Sequence, residues 1–173
     1  HGAGGGVSSA AIQIAKLFGA KVIATSSTHE KVTKAKELGA DYVINYKETT
    51  DFTKYVYTEL TERHGIDIVI DSIGTATFNT SIRLLRPGGR LITCGATSGP
   101  DSEINIRNIF WKQLEIKGSS MGNQEDFRNV MKLVFEGKLN PIIDKIFPFD
   151  QAKEALTYLS NSNQFGKVLL AIS

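Results

Sequence analysis

His1-Gly2-Ala3-Gly4-Gly5-Gly6-Val7-Ser8-Ser9-Ala10-Ala11-Ile12-Gln13-Ile14-Ala15-Lys16 opens the chain, and its reading decides the rest. A glycine cluster runs directly into apolar residues at Val7, Ala10, Ala11, Ile14, Leu17 and Phe18. That spacing has the period of a helix with one buried face. Glycines before a helix let the backbone turn tightly and bring its N–H groups near a ligand. The positive end of the helix then favours an anion. A phosphate or pyrophosphate is the expected occupant; the other reading is a glycine-rich connector feeding an ordinary helix. The strict G-x-G-x-x-G pattern is absent. Aligned on Lys16 and Gly19-Ala20, the three glycine positions hold Ala3, Gly5 and Ser8. Gly5 keeps the place of close backbone approach, and Ser8 is small enough for helix–strand packing.

Outward from this turn, short apolar runs alternate with amphipathic ones. Strands are expected at Lys21 to Ser26, Tyr42 to Asn45, Ile66 to Ile70, Arg90 to Cys94 and Leu114 to Lys117. Between them fall helices on Val32, Ala35 and Leu38 (Ser27 as N-cap, with Glu30 completing a capping box, and Gly39 as the stop), on Phe52, Val56 and Leu60 (capped by Asp51), and on Phe78, Ile82 and Leu85, halted by Pro87-Gly88-Gly89. A short helix is expected over Ile104 to Trp111, and another after Asn123 on Phe127, Val130, Met131 and Val134, ended by Gly137. This grammar predicts an α/β protein with a doubly wound parallel sheet. After Asn140-Pro141 the pattern changes to a strand (Ile142 to Phe147), a helix capped by Asp150, and a closing strand (Lys167 to Ile172).

Composition bounds the function. The chain has 173 residues, about one domain's worth, with 41% hydrophobic and 22% charged residues and a net charge of +2. Those values suit a globular domain and give no reason to expect a nucleic-acid or membrane partner. No apolar run is long enough to span a bilayer. The single cysteine, Cys94, precludes an internal disulfide and suggests a cytoplasmic setting; it reads as a small buried strand-end residue. No His or Cys pair has metal-ligand spacing, and His29 and His64 read as surface residues. The chain starts inside the glycine turn, without the strand such a turn needs, so the sequence reads as a fragment whose first strand is missing.

In a doubly wound sheet, ligands bind beyond the C-terminal ends of the strands. The turns there, Gly4 to Ser8, Ser26 to Thr28, Ser72 to Gly74 and Gly95 to Ser98, are small and polar. At the end of the second strand Ser26 stands where a carboxylate would hold the ribose hydroxyls for NAD. A hydroxyl tolerates a 2′-phosphate, and Lys31 lies on the following helix, so NADP is favoured over NAD. Asp67 and Asp71 flank an apolar strand, with nothing to mark them as an acid/base pair.

Five blocks in order, GAGGGVSSAAIQIAK, ELGADYVINYKE, LLRPGGRLITCGATSG, FWKQLEIKGSSMGN and QFGKVLL, resemble the medium-chain dehydrogenase/reductase family, in its zinc-type alcohol dehydrogenase and quinone oxidoreductase branches. The resemblance covers nearly the whole chain. It implies that residues 1–140 are a Rossmann cofactor domain lacking its first strand. It also implies that residues 141–173 are a return segment packing on a GroES-like catalytic domain upstream. By motif it assigns Gly5, Gly6 and Val7 to the pyrophosphate, and Ser26 and Lys31 to the adenosine ribose. Tyr46 falls near a 2′-phosphate, Gly74 beside the cofactor, and Gly95, Ala96 and Thr97 along the nicotinamide end. No catalytic residue and no metal ligand is assigned; a catalytic zinc would be held upstream. The implied enzyme moves a hydride between NADP or NAD and an alcohol, aldehyde, ketone or quinone, as a homo-oligomer, while the fragment alone is expected to be inactive. The alternatives are a zinc-free NADPH quinone or enoyl reductase and a dinucleotide-binding structural or sensor protein without turnover. No Tyr-x-x-x-Lys of the short-chain dehydrogenases occurs.

Overall fold

The computed structural model describes residues 1–172. In chain order its elements are α1 (Gly6–Leu17), β1 (Ile23–Ser26), α2 (His29–Glu37), β2 (Tyr42–Asn45) and α3 (Phe52–Tyr55), which passes into a π-helical turn at Val56–Leu60. Then come β3 (Ile66–Asp71), α4 (Phe78–Leu84), β4 (Leu85–Thr93), α5 (Ile106–Trp111), β5 (Glu115–Gly118) and α6 (Gln124–Phe135). The chain ends with β6 (Ile143–Pro148), a 3-10 turn at Phe149–Gln151, α7 (Ala152–Ser160) and β7 (Lys167–Ala171). None of the described helices is long and apolar enough to cross a membrane.

Every strand pair is parallel: β1–β2, β3–β4–β5 and β6–β7. Parallel neighbours require a crossover, and a helix supplies each one. The α/β class expected from the alternation is therefore what the chain adopts, with the strands of the described residues distributed over three short sheets. The chain forms two compact units. The first contains Gly2–Asn45 and the stretch from Gly122 onward; the second contains Tyr46–Met121 with His1.

The first unit is closed by Ala3, Ile12, Ala24, Ala35, Ala40 and Phe165, so residues from both ends of the sequence share one core. Small side chains dominate, which lets helices and strands approach closely. The buried positions of α1 are Ser9 and Ile12, whereas Val7, Leu17 and Phe18 are exposed. This corrects the apolar face read from the sequence. A polar residue can turn inward when its hydrogen bonds are met: Ser9 Oγ donates to Gly6 O at 3.1 Å. On the same side Gln13 exchanges two bonds with the Asn140 backbone, and Lys16 pairs with Asp41 at 2.8 Å.

The second unit is built on Val69, Ile82, Leu85 and Leu91, packed by Ile66, Phe78, Ile104 and Leu114. Burying a side chain such as Ile82 or Leu91 contributes roughly 1.5–3 kcal/mol.

Several local expectations need correction. Thr28, not Ser27, caps α2, accepting from Lys31 N at 3.3 Å. Its position three residues before Lys31 rules out the expected capping box. Leu85 lies outside α4 with extended backbone, φ −63° and ψ 138°. Pro87 disfavours helix in the residue before it, and Leu85 pairs with Ile66 instead. The register then jumps to Ile68–Arg90, so Pro87-Gly88-Gly89 forms a bulge in β4. Asp150 does not cap α7 but sits in the 3-10 turn before it. Cys94 is exposed, because β4 ends at Thr93 and leaves it in the following loop. By contrast Asn123 and Asp126 form a capping box on α6.

Candidate functional site

In the first unit the site is the start of α1. Gly5 is its N-cap, extended at φ −87° and ψ 159°, and brings no side-chain cap. Gly5 N donates back to Gly2 O at 3.0 Å, closing a tight turn. The amides of Gly6 and Val7, at the first turn, have no intrahelical acceptor. No acid stands in that turn, so the positive helix end is left uncompensated.

Two lysines converge on this turn. A Cβ built on Gly6 would stand 2.7 Å from Lys167 Cε and 2.8 Å from its Nζ. A Cβ on Gly4 would stand 2.8 Å from Lys31 Cδ and 3.1 Å from its Nζ. The absence of side chains at Gly4 and Gly6 is what admits both cations. Lys167 arrives through parallel pairing, since Gly166 N donates to Gly4 O at 2.9 Å and Gly5 and Gly166 form a bridge. Lys31 is set by the Thr28 cap, and its ammonium donates to Ser162 O. Burial pulls the Lys31 pKa below the usual lysine range, against the opposing charges of Asp144 and Glu30. Ser26 is buried at the end of β1, in register with Asn45. A helix start and two ammonium groups give this turn a positive potential that suits an anion.

In the second unit Gly74, Phe78, Thr93, Gly95, Ala96 and Ile104 help line a cleft of about 260 Å³. Two loops are joined around it. Ser98 N donates to Ile73 O at 2.8 Å, Thr97 Oγ1 to Ser72 O at 3.3 Å, and Ser98 Oγ accepts from Ala76 N at 3.0 Å. Gly74 has φ +88°, and a Cβ there would lie 2.5 Å from Gly99 O and 2.9 Å from Ala96 Cα. Beneath the loops Asp71 is fully buried. Its carboxylate accepts from Ile73 N, Gly74 N, Thr77 Oγ1 and Ser81 Oγ. It is a structural hub, not an acid or base facing the cleft.

Of the residues singled out from sequence, Gly5 and Gly6 stand at the start of α1, Lys31 lies over Gly4 in the same turn, and the Val7 side chain is exposed. Gly74, Gly95 and Ala96 meet at the second cleft. Tyr46 is exposed and does not line it. Lys167, the second lysine at this turn, has no sequence signal beyond the Gly166-Lys167 step in the closing block. Among the described residues no group of His, Cys, Asp or Glu is arranged to hold a metal.

The zinc-binding dehydrogenase family pattern matches residues 6–136. A zinc-type alcohol dehydrogenase-like protein of Schizosaccharomyces pombe is 36% identical over 97% of this chain and 49% of its own length. Among solved structures, an NAD-dependent alcohol dehydrogenase superposes with a TM-score of 0.92 at 41% identity, covering 99% of this chain and 50% of that one. The crotonyl-CoA carboxylase/reductase AntE, in complex with NADP, gives 0.89 at 25% identity, over 98% and 48%. The chain thus spans about half the length of the relatives it matches.

Proposed function

The chain belongs to the zinc-binding dehydrogenase family, and on that premise we propose that it is the cofactor-binding part of an NAD(P)-dependent oxidoreductase. The observation that carries this reading is the pair of ammonium groups, Lys31 and Lys167, set over the glycine turn that starts α1. A bound dinucleotide would supply hydride transfer at its nicotinamide. The chain's own task is to bind and orient. Gly6 and Val7 present amides to the diphosphate, Gly5 gives it a close backbone approach without a side chain, Lys167 neutralises it, and Ser26 and Lys31 take the adenosine ribose. Tyr46 is assigned to the 2′-phosphate region. Gly74 and Gly95–Thr97 are assigned to the nicotinamide end, with the Asp71 network holding their loops in shape.

Substrates on this reading are alcohols, aldehydes, ketones or quinones. Reduction of an activated double bond is the second reading, favoured by the likeness to a crotonyl-CoA carboxylase/reductase. The described residues do not fit a zinc site. Residues 1–140 are proposed as the cofactor domain and 141–173 as a return segment against a catalytic domain. A homo-oligomer is proposed through β5, an outer strand whose residues are all exposed. A cytoplasmic setting is proposed from the single cysteine.

The test is a fluorescence titration of the intact protein with NADPH and NADH, beside the Lys167→Met variant. Saturable binding weakened about tenfold by the variant supports the reading. Binding unaffected by it would sink the assignment. A panel of alcohols against enoyl thioesters then separates the two readings.

A further inference from the structure

Lys31 has a backbone partner at its far end. Its stem crosses Gly4, and its ammonium donates to the carbonyl of Ser162, in the connection between α7 and β7. Ser162 holds a left-handed backbone, φ +53°, which is uncommon for serine. That conformation turns the connection at the carbonyl Lys31 uses. Both ends of the connection are fixed. Asn161 N donates to Thr157 O at 3.1 Å and Ser162 N to Leu159 O at 3.0 Å, which hangs it from α7. Gly166 N rests on Gly4 O at 2.9 Å. An ammonium has three donors, so Lys31 can keep Ser162 and still bind an anion.

We propose that the Ser162 carbonyl is a specificity-determining anchor, which pre-positions Lys31 for a ligand phosphate on the adenosine ribose and so favours NADP over NAD. The inference rests on the proposed role of Lys31 at that ribose. A free lysine side chain must give up its rotamer freedom when it grips a ligand. One already held by Ser162 has given up most of it. The benefit goes only to a ligand that uses the ammonium. Ser162 touches no ligand in this scheme; it positions Lys31.

The test compares NADPH and NADH affinities of the intact protein with those of Ser162→Ile, Ser162→Gly, Lys31→Met and the Ser162→Ile/Lys31→Met double variant. Isoleucine resists the left-handed backbone, whereas glycine accepts it and keeps the carbonyl. Expected is an NADPH affinity about fivefold weaker in Ser162→Ile, with NADH unchanged and Ser162→Gly like the parent. In the double variant the isoleucine adds no further loss, because its effect runs through Lys31. Equal losses for both cofactors, or full additivity with Lys31→Met, would overturn the anchor. If Ser162→Ile does not fold, hydrogen exchange in the unaltered protein decides. NADPH should slow exchange at Asn161 and Ser162 about threefold and NADH should not; no difference overturns it. If Lys31→Met binds NADPH as tightly as the parent, the role of Lys31 falls and the anchor with it. If Lys31→Met weakens NADPH while Ser162→Ile does not, only the anchor falls.

Discussion

Ser81 donates its hydroxyl to Asp71 Oδ2 at 2.7 Å, and neither residue has any exposed surface. Asp71 ends β3 and Ser81 lies in α4, so this bond fixes the helix against the strand it follows. The same carboxylate holds the amides of Ile73 and Gly74, which shape the turn between them. Ser81→Ala leaves a buried carboxylate with one donor fewer. We expect a stability loss of about 1.5–3 kcal/mol, measured by urea unfolding of the intact protein. A change within about 0.5 kcal/mol would mean the network is redundant there.

Gly74 and Gly137 both have positive φ, +88° and +68°, but only Gly74 is crowded. A Cβ on Gly137 meets nothing within 4 Å, whereas one on Gly74 would press on Gly99 O at 2.5 Å. Gly137→Ala should cost about 1 kcal/mol, the left-handed penalty alone. Gly74→Ala should cost about 3 kcal/mol, because backbone must also move. Thermal unfolding of the two variants side by side checks the ranking, and equal costs would refute it.

Gly6→Ala probes the Lys167 contact without removing a charge. The methyl would meet the flexible end of Lys167 at 2.7 Å, so the lysine can yield and the fold should lose less than about 1 kcal/mol. Displacing the ammonium should nevertheless weaken NADH and NADPH by a similar factor, about fivefold. Calorimetric titration measures both. Unchanged affinity would show that Lys167 does not serve the diphosphate.

Tyr158 and Asp144 should give a two-sided pH signature. Partial burial acts to raise the Asp144 pKa, but the 2.7 Å bond from Tyr158, the Phe165 backbone and nearby Lys34 hold it below the usual carboxylate value. The same bond, aided by burial, raises the Tyr158 pKa. A depressed carboxylate stabilises the fold above its unfolded pKa, and that contribution is lost as pH falls through the folded value. A raised phenol stabilises below its unfolded pKa and is lost as pH rises through the folded value. Tyr158→Phe should therefore cost about 1 kcal/mol near neutrality. The gap from the parent should narrow toward both extremes. Unfolding across pH tests this, and a constant gap would contradict it.

Much of this protein is written locally. The alternation of apolar runs determined the α/β class, Asn123 and Gly39 marked real helix ends, and the glycine cluster located the start of α1. Those signals work because helix period, strand period and capping act over a few residues. The tertiary structure decided the rest. Leu85 left its helix because Ile66 offered a strand partner, and the inward face of α1 became Ser9 and Ile12 because their neighbours satisfy it. Lys167 reached Gly6 through a parallel pairing that joins opposite ends of the chain, and Asp71 gained its two hydroxyl donors, Thr77 and Ser81, only once α4 docked. Contacts of that kind depend on which distant segments meet, which no local period encodes.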